Sequence, residues 1–164
     1  MSIAVVYGST TGMCAEVAAN IASALGADCL NVAEVSADQV AGYDALVLGS
    51  STWGAGDLQD DWMANIGVIE GANLAGKKVA VFGTGDSMGF SDTFCDAMAT
   101  LRDAAVAAGA AAVGAGAVEG YDGVSSRVFE NGAFIGLPLD VTNQPELTDA
   151  RVAAWVEKLK GELA

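Results

Sequence analysis

The feature that most constrains this chain is a rhythm. Short apolar runs, several of them β-branched, alternate with stretches whose apolar residues recur at helical spacing. The runs fall at residues 3–7, 29–32, 45–48, 78–82 and 111–118. Between them, Val17, Ile21 and Leu25 mark one helix face, and Ser36 to Gln39 has the form of a capping box opening a short helix. Asp57 reads as the cap of a helix carrying Leu58, Trp62 and Ile66. Residues 92–108 read as a helix with Phe94, Met98 and Leu101 on one face. Thr148 reads as the cap of a last helix striped by Val152, Trp155, Val156 and Leu159. This alternation predicts an α/β fold: a doubly wound, five-stranded parallel sheet with helices on both faces. In such sheets ligands bind beyond the carboxyl ends of the strands, at the switch point. The loops after the first, third and fourth strands are therefore the candidates for function.

Bulk properties narrow the class. At 164 residues the chain suits one domain, 1–164, since domains usually hold roughly 100–200 residues. No apolar stretch reaches the roughly 18 residues that span a bilayer, and the first residues lack the basic start of a secretory signal. Cys14, Cys29 and Cys95 are an odd number with no C-x-x-C pair, which suits a reducing, cytoplasmic setting. Seven basic residues against 21 acidic ones leave a formal charge of −14. That surface repels nucleic acid and anionic membranes and attracts basic protein patches, although it would equally serve solubility. Histidine is absent, which argues against a triad or zinc enzyme.

Three loops carry the chemistry. Gly8-Ser9-Thr10-Thr11-Gly12-Met13-Cys14 joins the first strand to its helix and presents hydroxyls beside a helix N-terminus, an anion site that needs no cation. It has no lysine, so it is not a Walker A loop, and no Lys or Arg occurs before Lys77. A monophosphate held by neutral donors fits better than a triphosphate, though an ordinary glycine turn fits too. The second loop, from Ser50 and Ser51 through Thr52, Trp53 and Gly54 to Asp57, exposes an aromatic ring beside glycines. Trp53 would either cover a flat ligand or cap the core. In the third, Gly83-Thr84-Gly85-Asp86 leads to Phe90, and its glycine spacing is wrong for a dinucleotide fingerprint. Two aromatics on separate loops suit a planar heterocycle between them.

These motifs together resemble the flavodoxins, in their long-chain form. The first loop is similar to that family's phosphate loop. Ser51-Thr52-Trp53-Gly54 and Gly83-Thr84-Gly85-Asp86 are similar to its two flavin-ring loops. The resemblance continues through Gly120-Tyr121-Asp122, residues 131–137 and residues 147–151. It implies strand order 2-1-3-4-5 and an insertion in the last strand, here at about residues 119–133. It further implies that FMN is the cofactor. Ser9, Thr10, Thr11, Gly12, Met13 and Cys14 would hold its phosphate, Trp53 and Phe90 would flank the ring, and Thr84, Gly85 and Asp86 would meet the pyrimidine edge. Gly54 would allow a peptide turn toward the ring. Two residues depart from the family pattern: Cys14 stands for Thr and Phe90 for Tyr.

The implied function is a low-potential one-electron carrier with no catalytic residues of its own, shuttling its flavin between semiquinone and hydroquinone. The expected partners are basic redox proteins such as a ferredoxin-NADP reductase or nitrogenase, met by a monomer through Asp57, Asp60, Asp61 and Asp92. An FMN-dependent NAD(P)H quinone reductase of related fold is the alternative. A phosphorelay receiver is disfavoured, because Gly8-Ser9-Thr10 and Ser50-Ser51 stand where its acidic residues would be. A phosphate against Cys14 would leave that thiol covered when ligand is bound and reactive when it is not; burial in both states is the competing expectation.

Overall fold

The computed structural model describes residues 2–8, 12–53, 57–58, 60–85, 95–115, 129–130, 133–140 and 144–163. Along the chain, β1 (Ile3–Gly8) is followed by α1 (Met13–Leu25), β2 (Asp28–Asn31), α2 (Ala37–Ala41) and β3 (Ala45–Trp53). Next come β4 (Asp57–Leu58), α3 (Asp60–Asn65), α4 (Gly67–Glu70), β5 (Lys78–Gly85) and α5 (Asp96–Ala107). The last third holds β6 (Ala111–Ala112), β7 (Phe129–Glu130), β8 (Ala133–Phe134), β9 (Leu137–Asp140) and α6 (Thr148–Leu163).

The main sheet runs β2-β1-β3-β5, all parallel, and its fifth position is shared. β6 pairs with Lys78 and Val79 at one end of β5, and β9 pairs with Phe82 through Gly85 at the other. This is the expected 2-1-3-4-5 order with its last strand interrupted. Among the described residues pairing stops after Ala112 and is next seen at Leu137, so the interruption extends beyond the expected 119–133 at both ends. Val113 still donates to the Val79 carbonyl at 2.8 Å, and Gly114 then turns away at φ 84°. The apolar run had placed the strand at 111–118; β6 covers Ala111 and Ala112, and residues 116–118 lie outside the described residues.

Alternation along the strands sorts the core into two faces. Ala4, Val6, Leu46, Leu48, Val79 and Val81 pack with Val40, Trp62, Ile69, Met98 and Leu101 on one side. Val5, Val47, Ala80 and Phe82 pack with Val17, Ile21 and the α6 stripe on the other. Each fully buried large aliphatic side chain contributes about 1.5–3 kcal/mol relative to exposure. The helices therefore cover both faces, as expected.

Helix boundaries moved where backbone conformation overrode pattern. The capping box of α2 is present: the Gln39 N–H donates to Ser36 Oγ at 3.3 Å, and the Ser36 N–H to Gln39 Oε1 at 2.9 Å. Asp57, however, caps no helix. Asp57 and Leu58 pair antiparallel with Trp53 and Thr52, and the helix starts at Asp60, leaving Ile66 beyond its end. α5 starts at Asp96 rather than Asp92, because Cys95 has φ 55°, which a right-handed helix cannot contain. Thr148 is already helical, at φ −58° and ψ −51°, and follows a 3₁₀ turn over Pro145–Leu147, so it is not a cap.

Candidate functional site

The chain leaves β1 toward β2 on one side and returns to β3 on the other, so the switch point lies between β1 and β3. At that edge Gly8 stands opposite Ser50, and Ser50 opposite Gly83; Ser51 stands opposite Thr84. The three strand ends from which the candidate loops spring are thus level. Gly12 caps α1 at the same edge, exposed, with φ 87° and open space where a Cβ would stand. A glycine cap offers no side-chain oxygen of its own to the first-turn N–H groups. The Glu16 N–H donates to the Gly12 carbonyl at 3.0 Å, so the first turn is properly formed.

Cys14 sits on that first turn but faces the core. It is 1% exposed among Val5, Val17 and Ala18, and burial pushes its thiol up to about 12. The expectation that its sulfur lies open to reagents when nothing covers it is therefore corrected: protein atoms cover it. What Cys14 can offer a ligand is its backbone N–H.

The second loop departs from a tightly held strand. Ser50 is fully buried, and its hydroxyl donates to the Ser51 carbonyl at 2.8 Å. Ser51 is half-buried, and the backbones of Thr52 and Trp53 pair with Leu58 and Asp57. On the third strand Gly83 and Thr84 are buried and Gly85 half-buried. A Cβ on Gly83 would come within 2.7 Å of Met98 Cγ and 3.1 Å of the Ser50 carbonyl, so glycine permits Met98 of α5 to pack closely against β5 there. Nearby, Cys95 is fully buried; burial raises its thiol well above its ordinary value, partly opposed by the Leu139 N–H.

Of the residues proposed from sequence, Gly12, Met13, Cys14, Ser51, Thr52, Trp53, Gly83, Thr84 and Gly85 share this edge. Ser9, Thr10, Thr11, Gly54, Asp86 and Phe90 lie outside the described residues, as does Asp92. One residue that sequence reasoning assigned only to a helix stripe joins them. The Trp62 indole N–H donates to the Gly49 carbonyl at 2.6 Å, fully buried. A helical stripe shows that a tryptophan is buried; it does not show where its single N–H goes.

An open parallel sheet whose first helix starts at a glycine beside the switch point defines a doubly wound α/β protein. Comparison with known proteins narrows this. The flavodoxin family profile matches residues 5–155. A flavodoxin of Synechococcus elongatus is 38% identical over 164 residues, covering 98% of this chain and 96% of that one. Flavodoxin 2 of Salmonella typhi is 36% identical, covering 100% and 98%. The crystal structure of Fusobacterium nucleatum flavodoxin bound to flavin mononucleotide superposes with a TM-score of 0.91 at 30% identity, covering 99% of both chains. The chain belongs to the flavodoxin family. Among the described residues no helix is long and apolar enough to cross a membrane, and no group of His, Cys, Asp or Glu could hold a metal ion.

Proposed function

We propose that residues 1–164 form one domain that carries single electrons on a non-covalently bound FMN. The observation that carries this reading is the exposed glycine cap of α1, level with the ends of β3 and β5, in a chain of this family. Binding at the switch point follows a general rule, for which flavodoxin-like sheets are themselves a standing example. The fit to a monophosphate is chemical: with no Lys or Arg before Lys77, the donors are backbone N–H groups and hydroxyls.

FMN, when bound, supplies one-electron chemistry at low potential, and the protein tunes it. Residues 9–14 would hold the phosphate, Cys14 through its N–H alone. Trp53 and Phe90 would flank the ring, Thr84, Gly85 and Asp86 would meet its polar edge, and Gly54 would let the adjoining peptide turn. The charge of −14 disfavours added negative charge and so lowers the potential for full reduction. No residue is assigned a catalytic role, and the family relationship does not favour the quinone-reductase alternative. The acidic surface, with Asp60 exposed on α3, suits brief docking of basic redox proteins of the ferredoxin-NADP reductase or nitrogenase type by a cytoplasmic monomer.

A fluorescence titration tests the reading. FMN should be quenched at one equivalent and FAD bound far more weakly, since the phosphate turn offers no second site for an adenylate. Equal affinity for both, or no quenching of FMN, would sink it.

A further inference from the structure

The hydrogen bond between Trp62 and Gly49 closes a stretch of chain that contains four of the proposed ligand contacts: Ser51, Thr52, Trp53 and Gly54. From this geometry we propose that Trp62 is a positioning residue for the flavin-ring segment of β3. Its indole N–H sets where the strand bearing Trp53 leaves the sheet. The inference rests on the electron-carrier reading.

The backbone at the start of the segment is held from several sides. On one face of the sheet the Phe82 ring fills the space beside Gly49, where a Cβ would come within 2.0 Å of its Cζ. Trp62 belongs to the apolar cluster on the opposite face, and its N–H reaches the Gly49 carbonyl. The next residue, Ser50, is buried and bonded to the Ser51 carbonyl. Two residues further on, β4 takes hold of Thr52 and Trp53. β4 leads directly into α3, which carries Trp62 back to the sheet. Sheet, β3, β4 and α3 thus make a closed circuit, and the indole bond is its clasp.

Chemistry explains why tryptophan serves here. Its indole is a donor only, and when buried it must find an acceptor. At 2.6 Å, with no water competing, the bond is directional as well as strong. A phenylalanine or leucine would fill the cluster and leave the exit of β3 undirected. α3 has only six residues, too few to persist without tertiary anchorage, and Trp62 is its buried residue. Asp60 and Asp61 ride on the same turn, so the clasp also sets where that part of the acidic surface stands relative to the ring segment.

The test compares wild type, Trp62→Phe and Ile69→Ala, the last a truncation in the same apolar cluster. Three quantities are read on each: Tm, FMN affinity, and the midpoint potential for the first electron. Trp62→Phe should bind FMN about tenfold more weakly, within the usual range of coupling between linked sites. Its potential should also move; a tenfold difference between the affinities for two oxidation states corresponds to about 59 mV for one electron. Ile69→Ala should lower Tm and leave affinity and potential at wild-type values. The proposal is overturned if Trp62→Phe loses Tm alone, or if Ile69→Ala shifts affinity and potential equally. A wild type that fails to quench FMN overturns the electron-carrier reading and the positioning role with it, so the wild-type titration separates the two failures. Should Trp62→Phe not fold, exchange of the Trp62 indole proton in ¹⁵N-labelled wild type decides. Coupling is reciprocal, so FMN must slow that exchange by the same factor of about ten; an unchanged rate overturns the proposal.

Discussion

Two glycines lie close to places where this chain leaves its sheet, and a buried tryptophan holds each. Gly49 precedes the β3 exit and accepts from Trp62 at 2.6 Å; Gly114 begins the interruption of the fifth strand and accepts from Trp155 at 2.7 Å. The two indoles lie on opposite faces of the sheet. The two departures end differently. Past Gly49, β3 stays paired with β5 through Ser51 and with β4 at Thr52 and Trp53, and this segment carries proposed ring contacts. After Gly114 the next described residue paired in that sheet is Leu137. There α6 adds further holds at the root: Glu162 accepts from the Gly114 N–H at 3.2 Å, and Lys158 donates to the Ala115 carbonyl. The same device thus serves a ligand segment in one place and an insertion in the other. Loss of the first should be felt in binding as well as stability, loss of the second in stability alone.

The largest effect is expected from Gly49→Ala. Its methyl would overlap the buried Phe82 ring at 2.0 Å, an overpacking cost of about 3 kcal/mol. Urea denaturation measures the loss, and FMN affinity should fall with it. An alanine variant of wild-type stability would show that the ring can move and that Gly49 is not gripped. Gly114→Ala comes next, at about 2 kcal/mol. It combines an unfavourable φ of 84° with contacts of 3.1 Å to Ala80 Cβ and 3.2 Å to Trp155. Its FMN affinity should stay within about twofold of wild type, an interval too small to count as coupling. A tenfold loss there would break the comparison, because the insertion root would then also govern the site.

Trp155→Phe isolates the second indole bond and should cost about 1–2 kcal/mol in the same denaturation experiment. Unchanged FMN binding, set beside the behaviour of Trp62→Phe, sharpens the contrast; equal effects on binding would erase it. The smallest effect concerns Cys14, on the site side but buried. Mass-spectrometric mapping at pH 8 should find exposed Cys29 labelled and Cys14 and Cys95 untouched, with FMN and without it. Burial raises the Cys14 thiol from its ordinary value of 9.0 to about 12, so the folded state holds that proton longer than the unfolded chain does. Its contribution to stability is therefore complete below pH 9 and lost as pH rises toward 12. Replacement by Val should remove that part of the alkaline decline, and a decline that persists would assign it to other groups.

By itself the sequence determined the layer order, the strand order through family resemblance, and the carboxyl edge to which the candidate segments belong, although β3 and β5 run on through Trp53 and Gly85 where the sequence reads as loop. These come from local rules: period-two and helical patterns, a capping box at Ser36, and glycine beside hydroxyl residues in a strand-to-helix turn. Tertiary structure alone decided the rest. Asp57 looked like a cap, yet β3 offered a partner strand and the local signal lost. Gly114 and Ala115 looked like strand, yet α6 holds their backbone instead. Cys14 looked like a ligand contact, yet α1 turned its sulfur into the core. Trp62 and Trp155 looked alike, as apolar members of helix stripes. Hydrophobic pattern reports which side of an element is buried, because burial is non-directional. A hydrogen bond is directional and joins residues distant in sequence, 13 apart at Gly49 and 41 at Gly114, so its partner appears only when the fold brings the two together.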